Sequence, residues 1–84
     1  MIVTIYRLDG SRRHRGKFDV STPEGAANAG LEINDALKYK SDDFKFSLTQ
    51  GVEAWYQERP FWACNNRGNG YGGLSFLEAV EGLK

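Results

Sequence analysis

The stretch that most constrains the fold runs from Val52 to Leu83. It reads VEAWYQERPFWACNN, then RGNGYGG, then LSFLEAVEGL, and it holds both tryptophans and the only cysteine. Its pattern predicts a long aromatic strand, a glycine hinge and a short closing helix. Glu58-Arg59-Pro60 interrupts the strand, because proline has no N–H to give a ladder and marks an edge, a bulge or a turn. Phe61 to Cys64 then continues as strand. Asn65 to Gly73 reads as a loop. Ser75-Phe76-Leu77-Glu78 has the spacing of a capping box. Phe76, Leu77, Val80 and Leu83 form the apolar stripe of the helix behind it.

The rest of the chain is short. Eighty-four residues make a single domain, residues 1–84, and a chain of this size buries only about 60–65 % of its unfolded surface. The core is therefore one layer deep, a sheet with helices on one face. Aromatic residues, 13 % of the chain, compensate by burying a large area each.

Ile2 to Leu8 is β-branched and aromatic, as a strand requires. Ile2, Tyr6 and Leu8 point one way and Val3 and Ile5 the other, which predicts an interior strand. Asp9-Gly10-Ser11 is a turn signal. The loop Arg12-Arg13-His14-Arg15-Gly16 follows, and Lys17 to Val20 reads as the return strand, with Phe18 and Val20 inward.

Thr22-Pro23-Glu24 starts a helix: Thr22 caps, Pro23 suits the first helical position and Glu24 suits the positive dipole end. Ala26, Ala29, Gly30, Ile33 and Leu37 recur at helical spacing. This stripe of small residues predicts close packing on the sheet, with Gly30 as the point of near approach. Phe44 to Thr49 alternates as a strand, hairpin-paired with Val52 to Tyr56. The expected fold class is α+β: a small antiparallel sheet of four to five strands, two helices on one face, order ββαββα.

Charge is zero overall but unevenly spread, with a net +4 up to Lys17 and −4 beyond it. The asymmetry predicts one basic patch. It argues against a wholly acidic DNA mimic and against a wholly basic nucleic-acid coat. No run approaches the ~20 apolar residues of a membrane span, the N-terminus lacks a signal-peptide leader, and one cysteine excludes an internal disulfide framework. The expected location is cytoplasmic, away from membranes.

No spacing commits the chain to a reaction. Gly68-Asn69-Gly70-Tyr71-Gly72-Gly73 satisfies G-x-G-x-x-G, but a dinucleotide cradle needs a second parallel strand and an acidic residue about 20 positions on. The chain ends at Lys84, so the stretch reads as a turn feeding a capped helix. Arg67 to Tyr71 approaches the basic-Gly-aromatic RNA-recognition octamer, with Asn69 where an aromatic is wanted. One His14 and one Cys64 cannot assemble a zinc site within a monomer. Asp42-Asp43 and Glu78/Glu81 read as solvated charge rather than as acid/base couples. No enzyme, metal or cofactor is expected.

Two clusters suit binding. Arg12, Arg13, Arg15 and Lys17 form a basic loop, and arginine is fitted to bidentate contact with phosphate or carboxylate. Trp55, Tyr56, Phe61, Trp62 and Tyr71 form an aromatic set. Alternation sends Val52, Ala54 and Tyr56 to one face and Glu53, Trp55 and Gln57 to the other, so some aromatics face away from the helices unless a bulge intervenes. Exposed aromatics serve protein contacts and base stacking. The predicted partner-binding set is Arg12, Arg13, Arg15, Lys17, Trp55, Trp62 and Tyr71, with the exposed one of the two tryptophans making the contact.

The layout resembles the small phage-encoded anti-CRISPR proteins. The shared features are a chain under 100 residues, an immediate N-terminal strand, a short basic loop, a return strand closing on FDVSTPEGAANAG and an antiparallel remainder. The resemblance implies a non-enzymatic inhibitor that occludes a surface of a CRISPR effector subunit, and it carries over no functional residue. The alternative reading is a small nucleic-acid-binding module using the basic loop and outward aromatics. A second copy of the chain is a further candidate partner.

Overall fold

A computed structural model describes residues 1–8, 13–38, 51–65, 70 and 73–84, with the side chains of residues 37 and 38 outside the description. Four strands form one antiparallel sheet: β1 (Ile2–Arg7), β2 (His14–Asp19), β3 (Gly51–Tyr56) and β4 (Arg59–Asn65). The spatial order is β2-β1-β3-β4, so β1 is interior. Two helices, α1 (Pro23–Lys38) and α2 (Phe76–Glu81), complete the order ββαββα. The fold is α+β, as the pattern predicts. The strand expected over Phe44 to Thr49 lies outside the described residues. Both flanks of β3 are occupied, by β1 and β4.

The core follows from strand periodicity. Val3 and Ile5 on β1, Val52 and Ala54 on β3, and Trp62 and Cys64 on β4 are buried on one sheet face. Ala29 and Ile33 of α1 and Phe76, Ala79 and Val80 of α2 close over them in the same cluster. Helix α1 packs over β2 and β3, and α2 packs against β4. Leu77 does not join the core stripe of α2. It is 61 % exposed, and Ala79 is buried instead.

Both helix starts form as the sequence predicts. Thr22 Oγ1 accepts from Gly25 N at 3.0 Å, and Ser75 Oγ accepts from Glu78 N at 3.2 Å. The tight approach of α1 differs from expectation. A Cβ at Gly30 would meet nothing within 4 Å, whereas one at Gly25 would run into the backbone carbonyl of Asp19. The close contact is at the entry of the helix, where the chain leaves β2 and turns back over it.

The basic segment is strand rather than loop from His14 onward. Gly16 pairs with Ile5 and His14 with Tyr6, which leaves Arg15 as the extra residue of a bulge. The aromatic stretch also departs from a single strand. It folds into a β3–β4 hairpin around Gln57 and Glu58, both with left-handed backbone, φ 49° and 61°. Two successive positive φ values at a two-residue connection match the twist of a hairpin. The usual residues there are Asn and Gly, so Gln-Glu gives no sequence signal. Each non-glycine residue held there costs ~1–2 kcal/mol. The double variant Gln57→Asn/Glu58→Gly is expected to raise stability by about 1 kcal/mol, read as an upward shift in the urea midpoint with unchanged slope.

The end of β2 is tied to the N-terminus. Asp19 Oδ1 accepts from Ser21 Oγ at 2.5 Å and Ser21 N at 3.1 Å, and lies 3.4 Å from the Met1 ammonium. The Ser21 hydroxyl, then its amide, and less strongly the N-terminal charge, hold the Asp19 carboxyl below its ordinary value. A depressed carboxylate stabilises the fold above its unfolded pKa and loses that contribution as pH falls through the folded value. NMR titration of the Asp19 side chain is expected to give a midpoint below that of an unfolded aspartate. Ser21→Ala is expected to move it upward and to lessen the loss of stability through that acid range.

Candidate binding surface

Two bulges decide which aromatic residues face solvent. In β3–β4, Ala54 pairs with Trp62 and Trp55 with Pro60, so Phe61 is the extra residue. A bulge lets neighbouring side chains share a face. Phe61 and Trp62 both reach Phe76, with ring centroids 6.3 Å and 5.3 Å away. Trp62 is 7 % exposed, and its Nε1 donates to the Leu74 carbonyl at 2.9 Å. It is therefore a satisfied core residue, which removes it from the predicted contact set.

Trp55 lies on the opposite face, half-buried. Its Nε1 donates to Glu53 Oε2 at 2.8 Å, two residues back along the same strand. Tyr6, opposite Glu53 on β1, meets the Trp55 ring edge-on at 5.7 Å. His14, opposite Tyr6 on β2, meets the Tyr6 ring edge-on at 6.3 Å. The three rings form a continuous aromatic band across β2, β1 and β3. Thr4 stands opposite Trp55 on one side and Lys17 on the other. Among the described residues both helices pack on the other face.

The predicted basic cluster is divided. Arg15, displaced by the bulge, turns toward α1, where its Nε donates to Glu32 Oε1 at 3.0 Å with only 14 % of its side chain exposed. That pairing ties the edge strand to the helix and takes Arg15 out of the contact surface. Arg13 is exposed, and its carbonyl accepts from Arg7 N at 3.1 Å. Lys17 is exposed on β2. Arg12 and Tyr71 lie outside the described residues. The surface thus joins Lys17 and Trp55 with three residues absent from the predicted set: Tyr6, His14 and Glu53. The alternation of β1 and β3 already sends Tyr6 and Glu53 outward. His14 has no such signal, because only the Arg15 bulge turns it to that face.

Elsewhere, an apolar groove of about 330 Å³ lies between α1 and α2, with Ile33, Trp62, Leu74 and Leu77 among its walls and no charged residue described in its lining. Cys64 is buried, and its Sγ donates to the Asn65 carbonyl at 3.3 Å. Among the described residues, no group of three or more His, Cys, Asp or Glu side chains could hold a metal ion. No described helix is long and apolar enough to cross a membrane. Comparison with protein-family models, curated proteins and solved structures returned no match.

The two tryptophans separate in stability. Trp62→Ala is expected to cost ~3–5 kcal/mol, the range for a buried aromatic. Trp55→Ala forfeits chiefly an edge-to-face contact, about 1 kcal/mol. Thermal melts of the two variants check this, and a Trp55→Ala loss matching that of Trp62→Ala would place both rings in the core.

Proposed function

We propose that this chain is a non-enzymatic binding protein that acts in the cytoplasm of a host cell by covering a surface of a protein partner. The observation that carries the reading is the His14–Tyr6–Trp55 band on the sheet face away from the helices. Interfaces are enriched in Trp and Tyr, and binding energy concentrates in a few such residues. Rings stiffened by a sheet lose little freedom on docking, which lowers the ordering cost of association. The layout it shares with phage-encoded anti-CRISPR proteins supports a CRISPR effector subunit as the partner, with inhibition by occlusion.

Nucleic acid is the competing partner. Outward rings and Lys17 favour it, but Glu53 adjoins Tyr6 and Trp55, where it would repel a phosphate backbone. Single-strand binding through phosphates would fall steeply between about 50 and about 200 mM salt.

The test is co-purification with CRISPR effector complexes, run beside phage plating on cells that carry such systems. Binding and protection are expected for wild type. Trp55→Ala should weaken binding by ~2 kcal/mol, about thirtyfold in Kd, while remaining folded. Arg15→Ala should leave affinity near wild type. No effector bound and no phage protected would remove the inhibitor reading. A salt-sensitive gel shift with single strands, without effector binding, would replace it with the nucleic-acid one.

A further inference from the structure

A carboxylate flanks the aromatic band on β3. Glu53 stands opposite Tyr6 on one neighbouring strand and Ala63 on the other. One carboxylate oxygen, Oε2, accepts the Trp55 indole N–H at 2.8 Å. The ion pairs among the described residues are Met1–Asp19, Arg15–Glu32 and Lys84–Glu81, so no described cation neutralises Glu53. The group is half-buried beside two aromatic rings whose planes lie 67° apart.

We propose that Glu53, Trp55 and Tyr6 together receive one arginine side chain of the protein partner. The inference rests on the binding surface proposed above and adds the chemistry of what docks there. A cation is attracted by the faces of Trp and Tyr through the ring quadrupole. A guanidinium is also planar, so it can stack on the indole while donating to a carboxylate. The indole N–H bond to Glu53 aligns the two acceptors of this cation, the ring face and the carboxylate, before the partner arrives. A phosphate meets repulsion at the same point, and an apolar side chain would bury the Glu53 charge without a counter-charge.

The probe is the tripeptide acetyl-Gly-Arg-Gly-amide, compared with its citrulline counterpart, which keeps the shape and removes the charge. The readout is the NMR signal of the Trp55 indole N–H, assigned by its disappearance in Trp55→Phe. The arginine peptide is expected to shift this signal saturably, and the citrulline peptide to bind about tenfold more weakly. Glu53→Gln keeps a carbonyl to accept the indole N–H but loses the charge, so it should cut the preference to the smaller part the rings supply, at an unchanged melting temperature. Equal shifts from both peptides, or none that saturates, would overturn the proposal. So would an octathymidylate that moves the Trp55 signal where the arginine peptide does not. In the partner-binding assay the two proposals fail separately. Wild-type affinity in Glu53→Gln with loss in Trp55→Ala overturns the arginine site alone. Wild-type affinity in both overturns the surface itself.

Discussion

Burial of β1 is the constraint on which the rest of the structure depends. Val3 and Ile5 are both fully buried, which requires a strand on each side and helices above. The order β2-β1-β3-β4 supplies the flanking strands, and α1 returns over β2 and β3 to supply the cover. Among the described residues the helices cover one face of the sheet, and the side chains that alternate away from Val3 and Ile5 lie on the other.

That division explains why the aromatic residues sort into two groups with different chemistry. Trp62 finds a carbonyl for its indole N–H beneath α2, and Phe61 joins it against Phe76. Trp55 finds a carboxylate on its own strand instead. The first arrangement fills volume. The second leaves a ring and a charge partly exposed at the surface. The Arg15–Glu32 pair belongs to the first kind, because it fastens the sheet edge to α1.

The elements with strong local chemistry were legible from residues alone. Thr22-Pro23 and Ser75 announced both helices, and alternation grouped Val3 with Ile5 and Val52 with Ala54, each pair on one face of its strand, though it left open which face would be buried. What escaped depended on irregularities that composition does not encode. The bulge at Arg15 turned a basic loop residue into a helix contact and moved His14 to the open face. The bulge at Phe61 allowed two adjacent aromatics to share the core. The turn at Gln57-Glu58 carries left-handed backbone on residues that rarely adopt it, because the strands on either side gain enough by pairing to hold it. Alternation put Trp55 and Tyr56 on opposite faces without deciding which one was open, and the band joining Trp55 to Tyr6 and His14 needed the cross-strand register.

The positions of the two bulges have a consequence for how molecules of this protein meet one another. Among the described residues β2 and β4 are the outer strands, and each carries an irregularity, at Arg15 and at Phe61. An outer strand with a regular ladder is a template onto which another chain can add. A bulge breaks the repeat of free N–H and C=O groups and increases the local twist, so an incoming strand loses its register within a few residues. Lys17 on β2 and Arg59 and Pro60 on β4 add charge and a missing donor to the same rims. Along the described borders the sheet is therefore guarded against strand-by-strand polymerisation.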